Sequence, residues 1–289
     1  MRNKFIESLV QMAQENERVI LIVGDLGFSV VEPFQEKFPD RFINAGICEQ
    51  NMTSLAAGMA KEGFKVFVYS IGNFPTFRAA EQVRNDICYH NLDVTTIIVG
   101  GGVSYGNLGY SHHAIQDYGL MRLFPEMTIL SPGDPIETKA CLEYSFKNSG
   151  PKYLRLRKSG EANYTKGKIN FNGGWNEINQ SKNGKILLTT GYGLEIANSL
   201  IKTDKFKNYG LYSCPIWGMN YLNLQSKFIE QFEEIITIED HLISGGFGSW
   251  MRESLNSADQ LKIKNGFLDV SIIGQVSDEK TLLENFTVK

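Results

Sequence analysis

Short runs of β-branched and other apolar residues alternate along this chain with longer stretches whose apolar positions recur every three or four residues. The runs at 19–23, 65–69, 95–99, 127–130 and 152–156 have the length and composition of strands. The segments between them, at 47–61, 79–89, 115–123 and 135–146, carry helical spacing. Alternation at this pitch predicts βαβ units and a mainly parallel sheet covered by helices on both faces. The pattern lapses over 159–184, a stretch rich in Gly, Asn and Lys that reads as a crossing between domains with room for a hairpin. It resumes with strands at 185–190, 209–213 and 235–238, helices at 194–201 and 225–232, and a glycine-rich helix start at 245–248. The expectation is an α/β chain of two doubly wound domains, 1–158 and a smaller 185–289, joined by a linker at 159–184.

Composition narrows the function classes. A length of 289 residues accommodates two cores, and 42% hydrophobic with 21% charged residues excludes a disordered chain. A net charge of −3 with both signs scattered leaves no basic face for nucleic acid. Cys48, Cys88, Cys141 and Cys214 stand far apart with no C-x-x-C pair. That spacing suits neither a zinc site nor a disulfide framework and points to a reducing compartment. The first residues, M-R-N-K-F-I-E-S-L-V-Q-M-A-Q, have apolar positions at helical spacing broken by charge, unlike a secretory signal. No stretch approaches a membrane-spanning length. A soluble cytoplasmic protein with no nucleic-acid or membrane partner is expected.

The segment G-I-C-E-Q-N-M-T-S-L-A-A-G-M-A, residues 46–60, sets Glu49 and Gln50 at the N-terminal end of a helix whose small residues permit close packing. A carboxylate there is favoured by the helix dipole, a common arrangement that by itself is no more than an ordinary helix start. Phe74 and Phe77 stand between a strand end and the next helix, where an aromatic ring either stacks on a flat ligand or fills core. Five glycines between Gly100 and Gly109 precede His112 and His113. Such a loop can cradle phosphate through backbone N–H groups, but it lacks the fixed spacing of a phosphate-binding motif. His90 follows a helix end, and His241 in I-E-D-H suits packing or an interface better than chemistry.

Four segments, taken in order, resemble the transketolase family, in particular the forms whose catalytic unit is divided between two chains. F-P-D-R-F-I-N-A-G-I-C-E-Q-N-M-T-S-L-A-A-G-M-A is similar to that family's cofactor-activating helix. N-F-P-T-F-R-A-A-E-Q-V-R-N-D-I-C-Y-H-N-L-D-V resembles its aromatic-then-helix segment, G-N-L-G-Y-S-H-H-A-I-Q-D-Y-G-L-M-R its substrate-facing loop, and I-T-I-E-D-H-L-I-S-G-G-F-G-S the start of its last domain. The resemblance implies thiamine diphosphate and Mg²⁺ as cofactors. By it Glu49 is the carboxyl that hydrogen-bonds the pyrimidine ring nitrogen, a role best served by a buried group. Phe74, with Phe77 beside it, would stack on the pyrimidine. His112 would meet donor-sugar hydroxyls, and His113, Arg157 and Lys158 would line the substrate path. The family's metal-holding signature, G-D-G followed by an asparagine pair, has no counterpart here. Gly24-Asp25-Leu26-Gly27 sits on the first strand with no such pair after it. The resemblance therefore implies an N-terminal transketolase subunit that supplies the Mg²⁺–diphosphate site, with two copies of each chain in the assembly.

The chain departs from the family where the donor is read. Familiar transketolases carry G-E-D-G where this chain has Gly106-Asn107-Leu108-Gly109. His113 replaces a usual glutamine, Gln116 a usual acid, and Lys158 an arginine that binds sugar phosphate, with Arg155 and Arg157 beside it. An unusual donor follows as the expectation, such as a modified or nucleotide-linked sugar. The alternatives are a β-type subunit of a 2-oxoacid dehydrogenase, a 1-deoxyxylulose-phosphate-synthase-like enzyme, and a non-catalytic scaffold.

Overall fold

The computed structural model describes residues 1–158, 160–167, 169 and 175–289. Six strands follow one another in the first half: β1 (Val19–Val23), β2 (Phe42–Asn44), β3 (Lys65–Ile71), β4 (Val94–Val99), β5 (Thr128–Leu130) and β6 (Lys152–Leu156). The helices among them are α1 (Arg2–Glu15), α2 (Glu32–Lys37), α3 (Glu49–Lys61), α4 (Ala80–Gln82), α5 (Asp117–Met121) and α6 (Pro135–Lys147). The unbroken apolar run of β1 is buried at every position because helices cover both faces of the sheet. Val19, Leu21 and Val23 pack with Phe5 and Leu9 of α1 and Leu142 of α6. Ile20 and Ile22 turn to Met52, Ala56 and Ala60 of α3 on the opposite face. Ala56, Ala57 and Ala60 of α3 thus face the sheet while Gly58 is exposed, and the helix N-terminus carrying Glu49 is fixed at the ends of the strands.

The second half contributes β7 (Asn176–Asn179), β8 (Lys185–Thr189), β9 (Gly210–Ser213), β10 (Ile216–Gly218), β11 (Glu234–Leu242), β12 (Ile263–Leu268) and β13 (Phe286–Val288). Its helices are α7 (Gly193–Leu200), α8 (Gln225–Ile229), α9 (Phe247–Arg252), α10 (Ser257–Gln260) and α11 (Glu279–Leu282). The strand orders are β10-β5-β6-β4-β3-β1-β2 and β13-β12-β11-β8-β9-β7. Every pairing is parallel except those of β10, β13 and β7, which lie at sheet edges. The α/β class expected from the alternation is the observed one.

Three local readings change. β10 follows Pro215 in the second half, yet pairs antiparallel with β5 and completes the first sheet. Burying Trp217 between the halves, beside Tyr118 and Trp250, draws the chain back across. In the expected linker 159–184, residues 159, 168 and 170–174 lie outside the described residues, and Asn176–Asn179 forms β7 against β9. The helix expected at 79–89 is short, with wide turns of π type at Phe74–Arg78 and Val83–Cys88 on either side of α4. Wide turns of this kind often sit at functional sites.

A buried ion cluster joins the halves. Arg155 of β6 donates through Nε to Asp117 Oδ2 at 2.8 Å and through Nη1 to Asp240 Oδ1 at 2.7 Å. His241 stacks on Tyr118 with centroids 5.3 Å apart and accepts a bond from the Gly119 N–H at 3.4 Å. Both rings are fully buried, the packing role its motif suggested. No helix among the described residues is long and apolar enough to cross a membrane.

Candidate active site

The first turn of α3 opens on a cleft of about 480 Å³ lined by Ile47, Cys48, Glu49, Gln50, Asn51 and Arg78. The turn before it is built by Asn44. Its side-chain oxygen accepts from the Asp25 and Gly46 N–H groups at 3.1 and 3.0 Å, and its amide donates to Asp25 at 3.0 Å. Gly46 has φ +73°, a conformation that a side chain would strain. The helix begins at Glu49, two residues later than the periodicity suggests. Glu49 is 4% exposed, a carboxylate buried at the edge of a cleft.

A second cleft of about 340 Å³ adjoins, lined by Phe74, Phe77, Tyr110, Ser111, Gln116 and again Arg78. Phe74 sits on the first wide turn after β3, and its ring meets the His112 ring edge-on at 5.3 Å. Burial, and then neighbouring His113, hold the His112 imidazole below its ordinary pKa, so it is neutral near pH 7. Phe77 is 43% exposed and lines the same cleft.

The remaining sequence-derived candidates separate. Lys158 is exposed, its ammonium 5.5 Å from the centre of the Tyr105 ring, which itself lies 6.4 Å from the His112 ring. His113 is 1% exposed, with Nε2 3.2 Å from the Gly106 carbonyl oxygen, so in this chain it holds the loop together from a buried position. Arg157 is likewise committed. It pairs with Glu279 and Glu195 and lies over the Tyr192 ring at 3.5 Å, all residues of the second half. Two carboxylates engage its fork, so in this chain Arg157 bonds the halves together. Among the described residues, no three His, Cys, Asp or Glu side chains converge as a metal site would require.

Two residues escaped sequence reasoning. Arg78 follows Phe74 by four positions, the spacing that brings side chains together on a helical turn, and that was the available signal. Asn73 gave none, because its partners lie 37 to 40 residues away.

The family pattern described as transketolase, pyrimidine binding domain, matches residues 1–161. A putative transketolase C-terminal section from Methanocaldococcus jannaschii is 30% identical over 278 residues, covering 93% of this chain and 87% of that protein. An apulose-4-phosphate transketolase subunit from Actinobacillus succinogenes is 30% identical over 258 residues, with 87% of this chain and 82% of that subunit covered. A solved split-gene transketolase, an inactive beta4 tetramer, superposes with a TM-score of 0.82 at 27% identity, covering 98% of this chain and 91% of that one. The chain belongs to the transketolase family. Within it, this is the C-terminal subunit of a split transketolase, carrying the pyrimidine-binding half of the catalytic unit.

Proposed function

We propose that this chain, together with a subunit bearing the diphosphate-binding half, transfers a two-carbon ketol unit from a ketose donor to an aldehyde acceptor. The reading is carried by one juxtaposition: a buried Glu49 carboxylate and the face of Phe74 lie on adjoining clefts, bridged by a single flat cation, with the His112 ring against the Phe74 ring. Residues that accept a stacked guanidinium fit the pyrimidine end of thiamine diphosphate, which is also flat and polar at its rim. Bound there, that group supplies the carbanion chemistry of ketol transfer.

This chain's own residues bind and orient. Phe74 offers a stacking face. Glu49, buried at the floor of its cleft, would offer its carboxyl group to the pyrimidine ring nitrogen. His112 is placed to take or return a proton at a donor hydroxyl. Lys158 offers an exposed cation beside Tyr105, suited to the anionic end of a sugar phosphate. Mg²⁺ and the diphosphate belong to the partner subunit, in an assembly with two copies of each chain. The replaced acids of the 106–109 loop support a specialised donor.

The test is co-expression with the diphosphate-half subunit and titration of thiamine diphosphate and Mg²⁺ into each chain and the mixture. Binding by the mixture alone, and turnover lost by at least about 100-fold in Glu49→Gln, is expected. Tight binding by this chain alone would refute the divided site. Ordinary rates with xylulose 5-phosphate and ribose 5-phosphate would refute the specialised donor.

A further inference from the structure

Arg78 lies on both clefts of the site and forms the divide between them. Its guanidinium carbon is 4.7 Å from the centre of the Phe74 ring. From the same group, Nη1 donates to Glu49 Oε2 at 3.2 Å and reaches Oε1 at 3.4 Å. A π-face beneath and a carboxylate at the rim are the two engagements a planar cation prefers. They are also the two engagements that the function proposed above assigns to the cofactor's pyrimidine. One ring face and one carboxylate cannot serve both occupants together.

We propose that Arg78 is an internal stand-in for the pyrimidine, displaced when the cofactor binds, and that it thereby sets the affinity of this site. The inference rests on the roles given to Glu49 and Phe74. The arrangement suits displacement. Arg78 has 55% of its side chain in solvent while Glu49 has 4%, so the cation already stands at the mouth and the carboxylate at the floor. It also ends the wide turn Phe74–Arg78, so a rotation about its own side-chain bonds clears the ring without moving Phe74. With Arg78 in place, two clefts flank the pair. With it swung out, Glu49 and Phe74 face one continuous space.

Two measurements test this. In the free chain, NMR should show the Arg78 side-chain Nε–H resonance displaced by the Phe74 ring current, and that displacement should vanish in Phe74→Leu and change in Glu49→Gln. An Arg78 resonance indifferent to both substitutions overturns the stacked pair. In the mixture with the diphosphate-half subunit, thiamine diphosphate with Mg²⁺ should bind Arg78→Ala roughly three- to tenfold more tightly than wild type, the scale of one exposed ion pair and one cation–π contact removed. Arg78→Lys, which keeps the charge and loses the plane, should fall between. Unchanged or weaker binding in Arg78→Ala, beside normal binding by wild type, overturns the stand-in and leaves the proposed function standing. Absence of binding by the wild-type mixture overturns both.

Discussion

The side-chain amide of Asn73 donates to the carbonyl of His113 at 3.0 Å. The same nitrogen lies 3.1 Å from the Ser111 carbonyl, so one side chain grips the backbone on both sides of His112. Asn73 also immediately precedes Phe74, whose ring touches the His112 ring. The Phe74 ring and the His112 imidazole are therefore held in one frame by Asn73, which also lines their cleft.

Asn73→Asp keeps the shape and turns the donor into an acceptor facing carbonyl oxygens. A loss of roughly tenfold in kcat/KM for the donor sugar is expected, carried by KM, with cofactor affinity unchanged. Steady-state kinetics alongside a cofactor titration read the two separately, and an unchanged KM would count against the frame.

Gly106 is pressed against the second half of the chain. A Cβ there would lie 2.4 Å from the Ser277 carbonyl oxygen and 2.5 Å from Leu282, and the Gly106 carbonyl is the partner of His113. Gly106→Ala should cost on the order of 1–3 kcal/mol by forcing the 277–282 segment away. Denaturant unfolding gives the stability, and His112 resonances should shift because its loop moves too. A variant as stable as wild type would mean that the segment yields freely.

Arg155 bridges two buried carboxylates from different halves, Asp117 and Asp240. Arg155→Leu removes the cation and leaves both acids without compensation, a loss of about 3–5 kcal/mol. The triple change with Asp117→Asn and Asp240→Asn should recover part of it, since the uncompensated charges are then gone. Thermal unfolding of the three forms decides, and no recovery in the triple variant would assign the loss to packing.

Glu239 is fully buried and accepts the N–H groups of Phe247 and Gly248 at 2.7 and 2.9 Å, at the start of α9. Burial pushes its carboxyl up to about 8 from the ordinary 4.5. A folded-state value above the unfolded one means that its stabilising share is complete below about 4.5 and is lost as pH rises through about 8. Glu239→Gln does not titrate, so the melting temperature of the variant relative to wild type should climb between pH 5 and pH 9. A constant difference across that range would refute the shift.

Much of the molecule was legible in order along the chain. The run Val19–Val23 is apolar at every position because both its faces are covered, and the small residues of α3 announce a helix lying close on a sheet. Glu49, Phe74 and His112 were proposed because their neighbours in sequence carry the family pattern, and the structure brings all three to the same pair of clefts. His113 and Arg157 stand equally close in sequence to recognised motifs, and spacing could not show that the carbonyl of Gly106 takes one and the carboxylates of Glu195 and Glu279 take the other.

Local periodicity is set by which face of each segment must leave water, and that is written in consecutive residues. From it the sequence alone determined the α/β alternation and the helix that presents Glu49, while the resemblance of four segments in order pointed to the family. Which groups meet across the chain depends on how the finished elements pack. Tertiary structure alone decided that β10 crosses back to the first sheet, that Arg155 ties the halves together, and that Arg78 lies between Phe74 and Glu49. A charged side chain carries no mark in sequence of which partner will compensate its burial. That choice is fixed when the surfaces close and each buried charge must find its opposite.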